Sequence, residues 1–153
     1  MQFFQNNLPE ILLIIGIFIS LVLSGIGSAK GAAMIGKAAA ALISEQPEKF
    51  GQSLVLQMMS ASQGLYGFII AFLIFTNLGD GLTVVKALRC FGAGTVMGLA
   101  GYFTAIQQSI AATAGIQILA KKPEHSTKGI IYAIMIETYA IFAFVVAVLI
   151  VFL

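Results

Sequence analysis

Apolar residues run along this chain in four long blocks separated by three short polar connections. The blocks cover residues 10–43, 50–78, 82–119 and 128–153. Each is longer than the ~20 residues an α-helix needs to cross a hydrocarbon core about 30 Å thick. The first and third are the longest; at 1.5 Å per residue they reach roughly 50–57 Å and should protrude from the bilayer. The connections, residues 44–49, 77–81 and 121–127, are too short for anything but antiparallel neighbours. The pattern predicts an all-α membrane protein of four transmembrane helices arranged as two antiparallel hairpins, residues 1–78 and 79–153.

One residue breaks the apolar pattern. Glu137 lies inside Ile134-Met135-Ile136-Glu137-Thr138-Tyr139-Ala140, and no other charged side chain follows it. A carboxylate at the centre of a bilayer helix costs about 2.5–3.5 kcal/mol on insertion scales, so such residues face a partner or an ion path. Depth can be counted from the prolines, a residue favoured at helix starts. At the helical rise, Glu137 lies about 21 Å beyond Pro123, Gln63 about 24 Å beyond Pro47, and Gln108 about 20 Å before Lys121. Three helices therefore contribute polar groups to one layer near the midplane. Met59, Ser62, Gln63 and Tyr66 share one face of the second helix at i, i+3, i+4 and i+7. Gln107 and Gln108 are adjacent, so only one of them can point inward.

The layer offers a carboxylate, two amide oxygens, a hydroxyl and a backbone carbonyl, with no imidazole or thiolate. All-oxygen sets suit hard cations, and one formal negative charge suits a monovalent one whose hydration shell the ligands replace. Tyr66 can donate a hydrogen bond to Glu137. So many oxygens favour Na⁺, with a proton-only site as the alternative, since a proton carrier needs just a carboxyl and one or two partners. Lys30, counted back from Pro47, lies at similar depth. An ion pair with Glu137 would leave the carboxylate unable to carry ions. Lys30 is therefore expected to turn away, towards lipid head groups or water.

The hairpin is duplicated. Sliding the chain along itself until Pro47 meets Pro123 aligns Gln46-Pro47-Glu48 with Lys122-Pro123-Glu124, Gly25 with Gly101 and Phe68 with Phe144. Ala61 falls opposite Glu137, so only the second hairpin has the mid-membrane carboxylate. The first and third helices are rich in small residues, including Gly27-Ser28-Ala29-Lys30-Gly31 and Gly94-Thr95-Val96-Met97-Gly98. Small faces let helices approach closely in lipid. Two packings satisfy this, a tight four-helix bundle or an inner pair of helices 1 and 3 with bulkier helices 2 and 4 outside.

Composition narrows the function. With 59% hydrophobic and 9% charged residues and a net charge of +2, the chain has no basic run for nucleic acid. Cys90 is the only cysteine, which excludes an intrachain disulfide. The N-terminal stretch ahead of the first block carries no basic n-region, so that block is read as a retained helix. The segment Gly31-Ala32-Ala33-Met34-Ile35-Gly36-Lys37-Ala38 lacks the Ser/Thr and the preceding strand of a P-loop, so the chain itself has no ATP site. Lys37, Lys49, Lys121, Lys122 and Lys128 outnumber Lys86 and Arg89, placing the first and third connections in the cytoplasm and both termini outside a cell membrane. His125 is read as a solvated contact residue, and Met58, Met59 and Met135 as packing.

Ser24-Gly25-Ile26-Gly27-Ser28-Ala29-Lys30-Gly31, Gln63-Gly64-Leu65-Tyr66-Gly67-Phe68, Gly115 to Glu124 and Glu137-Thr138-Tyr139-Ala140 resemble the proteolipid (K, or c) subunit of bacterial V-type rotary ATPases. The resemblance covers essentially the whole chain and is nearest the sodium-translocating branch. It implies a closed ring of identical subunits carrying one ion per chain. It implies as ligands the Met59 carbonyl, Ser62, Gln63, Gln108 and Glu137, with Tyr66 supporting the carboxylate. It further implies a stator subunit whose basic residue displaces the ion. Glu45, Glu48, Lys49, Lys121, Lys122 and Glu124 would face a central stalk. Ser62 is threonine, and Ser60-Ala61 a Pro-Gly pair, in the sodium-translocating pattern. From the residues alone, a small four-helix cation exporter and a structural proteolipid remain as different-class alternatives.

Overall fold

In lipid the backbone must satisfy its own hydrogen bonds, and these apolar blocks do so as helices. The computed structural model describes residues 2–79 and 81–153, with side chains from Asn7 onward. Met1, and Asp80 of the middle connection, therefore lie outside the described residues. The helices are α1 (Gln2–Glu45), α2 (Phe50–Met58), α3 (Ser62–Phe75), α4 (Val84–Lys121) and α5 (Ser126–Phe152). Among the described residues there are four spans long and apolar enough to cross a membrane, with α2 and α3 forming one of them.

Two boundaries differ from expectation. Helix α1 starts before Pro9 rather than after it, with Pro9 inside the helix. Proline removes one backbone donor, a loss that membrane helices accommodate locally. The second span is interrupted by a 3₁₀ turn over Met59–Ala61, though neither proline nor glycine stands there. The prolines sit where depth counting placed them, opening the 3₁₀ turns Pro47–Lys49 and Pro123–His125.

The connections are built by local chemistry. Gly79 and Gly81 take φ of 143° and 85°, values that a side chain would disfavour. The Thr83 hydroxyl caps α4 by accepting from the Lys86 N–H at 3.2 Å. At the other end of α4, Pro123 offers no N–H to the helix carbonyls. Lys49 reaches across from the first hairpin instead, its Nζ donating to the carbonyls of Leu119 at 2.9 Å and Ala120 at 3.0 Å. A cation at a helix C-terminus also opposes the negative end of the helix dipole.

The helices do not close a square bundle. Helices α1 and α4 share the most extensive contact, α3 packs on α1, α5 packs on α4, and α3 and α5 meet only narrowly. The close α1–α4 approach depends on glycine. A Cβ on Gly27 would stand 2.6 Å from the Tyr102 Cα, and one on Gly16 2.9 Å from the Phe91 Cα. This is the inner-pair packing rather than the symmetric bundle.

Two apolar cores lie along the molecule. One gathers Leu13, Ile70, Ile74, Met97 and Val151, the other Ile35, Leu42, Leu56, Ile116 and Leu119. Between them is a layer with buried Ser28, Ser60, Gln63, Gln108 and Ser109. Buried polar groups need partners, and the α1 serines find theirs on other helices. Ser20 donates to the Gly67 carbonyl at 2.9 Å, Ser24 to that of Met97 at 3.3 Å, and Ser28 to that of Ser60.

Candidate functional site

The polar layer forms where α3, α4 and α5 meet behind the 3₁₀ turn of the second span. A 3₁₀ turn redirects backbone bonding from i−4 to i−3, and the Ser28 hydroxyl of α1 takes up the Ser60 carbonyl at that turn. Immediately after it, Ser62 Oγ lies 2.9 Å from the Met59 carbonyl and 3.4 Å from Gln63 Oε1. The hydroxyl has one hydrogen, so it serves one of these acceptors at a time. Three oxygens thus converge at the start of α3.

From there a directed chain of hydrogen bonds leads to the carboxylate. Gln63 Nε2 donates to Gln108 Oε1 at 2.5 Å, and Gln108 Nε2 donates to Glu137 Oε2 at 3.2 Å. Tyr66 donates its phenol to Glu137 Oε1 at 3.0 Å. Both carboxylate oxygens therefore hold a donor. Gln63 and Gln108 are fully buried, whereas Glu137 is half-buried, so the carboxylate stands at the edge of the layer. The Tyr66 ring is fixed against Phe144 with centroids 5.2 Å apart.

All six residues singled out from the sequence lie in this cluster: Met59 by its carbonyl, then Ser62, Gln63, Tyr66, Gln108 and Glu137. Of the two adjacent glutamines, Gln108 is the inward one, and Gln107 is the less buried. Thr138 bonds its own helix at the Met135 carbonyl, 2.7 Å away. Lys30 does not approach Glu137. Its Nζ lies 3.3 Å from the Tyr102 hydroxyl and 5.4 Å from that ring's centroid, on an exposed surface.

The sequence pattern did not single out the α1 serines that support this layer. Their signal was present: Ser20, Ser24 and Ser28 recur every four residues and share one helix face.

Chemically, the cluster is one ionisable carboxylate within a set of uncharged oxygens. Among the described residues no three His, Cys, Asp or Glu side chains gather. Such a site can balance a single positive charge.

Residues 15–74 and again 91–150 match the family model for the C subunit of ATP synthase. The chain belongs to the ATP synthase C-subunit family. It is 60% identical over 130 residues to the V-type sodium ATPase subunit K of Enterococcus hirae, covering 85% of this chain and 83% of that protein. Identity to the A-type ATP synthase subunit K of Methanocaldococcus jannaschii is 36% over 141 residues, 92% of this chain and 62% of that one. The V-type proton ATPase 16 kDa proteolipid subunit of Entamoeba dispar is 28% identical over 133 residues, 86% of this chain and 76% of that one. As a member of this family with four membrane-crossing helices, the chain is a membrane protein.

Proposed function

We propose that this chain is one protomer of the ion-translocating rotor ring of a V-type rotary ATPase, carrying one Na⁺ at Glu137. The observation that carries the reading is the half-buried Glu137 carboxylate, both oxygens hydrogen-bonded, at the edge of the layer formed by Ser62, Gln63 and Gln108. A bare cation in hydrocarbon is prohibitively costly, and oxygen ligands replace its water. The proposed ligands are the Met59 carbonyl, Ser62, Gln63, Gln108 and Glu137, with Tyr66 positioning the carboxylate. A carbonyl oxygen has two lone pairs, so Gln108 Oε1 can ligate an ion while still accepting from Gln63. The high identity to a subunit named for sodium supports Na⁺.

On this reading each of the two hairpins is one copy of a duplicated unit, a division supported by two family matches at the same offset as the Pro47–Pro123 repeat. Ala61 stands where the first hairpin would have a carboxylate, so each chain carries one ion. The chain itself does not hydrolyse ATP. Torque reaches it from a soluble ATPase head through a central stalk at the first and third connections, which face the cytoplasm with both termini outside. A basic residue on a stator subunit displaces the ion. Lys30 contacts lipid or water inside the ring.

A proton ring of the same fold is the second reading. It needs only a carboxyl with one or two hydrogen-bond partners, and Glu137 has Tyr66 and Gln108 as such partners. Carbodiimide labelling of Glu137 at alkaline pH separates the two. Na⁺ at increasing concentration is expected to slow labelling saturably. Labelling that is indifferent to Na⁺ would leave the proton reading.

A further inference from the structure

The two hairpins touch each other within one chain, and the contact is head-to-tail rather than self-complementary. Gly16 of α1 meets the backbone of Phe91 on α4, and Leu56 of α2 packs on Gly115. The hairpin repeat assigns each of these positions a counterpart. Gly16 corresponds to Gly92, Phe91 to Ile15, and Leu56 to Tyr132. Among the described residues the counterparts have no such partner. A Cβ on Gly92 would meet nothing within 4 Å, Ile15 is exposed, and Tyr132 is 64% exposed where Leu56 is fully buried. One side of the molecule thus offers the face that hairpin one uses, and the opposite side offers the face that receives it. A heterologous contact of this kind repeats from copy to copy and closes into a ring when the rotation allows.

The Lys49 cap gives the contact a specific anchor. Pro123 denies the Leu119 carbonyl its helical donor, and Lys49 supplies one. Pro47 denies the Ile43 carbonyl its donor in the same way. Among the described residues no donor from this chain is seen at Ile43. The counterpart of Lys49 is His125, third residue of the turn Pro123–His125 as Lys49 is of Pro47–Lys49. The counterparts of Leu119 and Ala120 are Ile43 and Ser44.

We infer that the second hairpin docks on the first hairpin of a second copy of this chain, in the register the hairpins use within one chain, with His125 donating to the Ile43 or Ser44 carbonyl of that copy. The inference rests on the rotor-ring reading and adds its register and its anchor. A neutral imidazole carries one N–H, so it serves one carbonyl where Lys49 serves two. The same register places Tyr139, Ala32 and Ala61 where Gln63, Gln108 and Glu137 stand within the chain. The contact between copies therefore has no carboxylate at mid-membrane and holds no second ion.

The test joins positions beside the anchor while leaving His125 intact. Full-length protein in detergent carries Ser44→Cys and Glu124→Cys in a Cys90→Ala background and is treated with a short bifunctional maleimide. A ladder of covalent oligomers is expected from the double variant and not from either single one. A ring of normal mass that yields no ladder overturns the register while leaving the rotor-ring reading standing; a protein that forms no oligomer overturns both. In a parallel measurement, His125→Ala is expected to lower the temperature at which the ring dissociates, and His125→Lys to restore or raise it. Equal dissociation temperatures for all three proteins would remove His125 from the interface.

Discussion

Replacing Tyr66 with phenylalanine isolates one contribution to the proposed ion site. The substitution deletes the hydroxyl 3.0 Å from Glu137 Oε1 and keeps the ring that packs on Phe144. Helix packing should therefore survive, and any effect belongs to the carboxylate. A hydrogen bond to a charged group contributes about 1.5–3 kcal/mol, and the lower end applies where the site is partly exposed. Glu137 is half-buried, so a loss of about 1.5 kcal/mol is expected, which weakens Na⁺ binding roughly tenfold. The assay is Na⁺ protection of Glu137 from carbodiimide, titrated on purified protein before and after the change. Tyr66→Phe protein that assembles normally and is protected at unchanged Na⁺ concentrations would refute the positioning role of the phenol. A change confined to assembly would refute the claim that packing rests on the ring alone.

Two further substitutions probe Lys30 and the α1–α4 contact. Lys30→Met removes the ammonium from the Tyr102 side chain and is expected to leave Na⁺ protection essentially as in the parent; abolished protection would tie Lys30 to the ion site. Gly94→Ala places a methyl group against the Gly16 backbone, where no side chain can give way. Overpacking costs about 1–3 kcal/mol, and with backbone on both sides the upper end is expected, read as a shift of the detergent unfolding midpoint. An unchanged midpoint would mean that α1 and α4 can separate at no cost.

The positions of the site residues were legible because depth along a helix is linear in residue number. Counting from Pro47 and Pro123 placed Gln63 and Glu137 in one layer, and the structure joins them through Gln108. Helical periodicity likewise put Ser62, Gln63 and Tyr66 on one face. The 3₁₀ turn at Met59–Ala61 was not legible, because the residue types there are ordinary helix residues. The buried Ser28 hydroxyl, from a helix distant in sequence, takes a carbonyl at that turn. Serines inside helices often bond their own backbone, so the sequence alone did not separate Ser20, Ser24 and Ser28 from that use. The Lys49 contact was equally hidden, since a lysine in a connection reads as solvated until the end of α4 is found beside it. The choice between inner-pair and symmetric packing turned on which glycines face which backbone, and that register is a property of the pair of helices rather than of either one.

Ala61, standing where a duplicated carboxylate would be, sets the gearing of such a machine. A ring of these chains has two hairpins for every charge, so its teeth are spaced twice as widely as in a ring with a carboxylate on each hairpin. For the same energy delivered per revolution, half as many ions move and each can be driven against twice the electrochemical potential. A single alanine in the second span thus trades throughput for thrust.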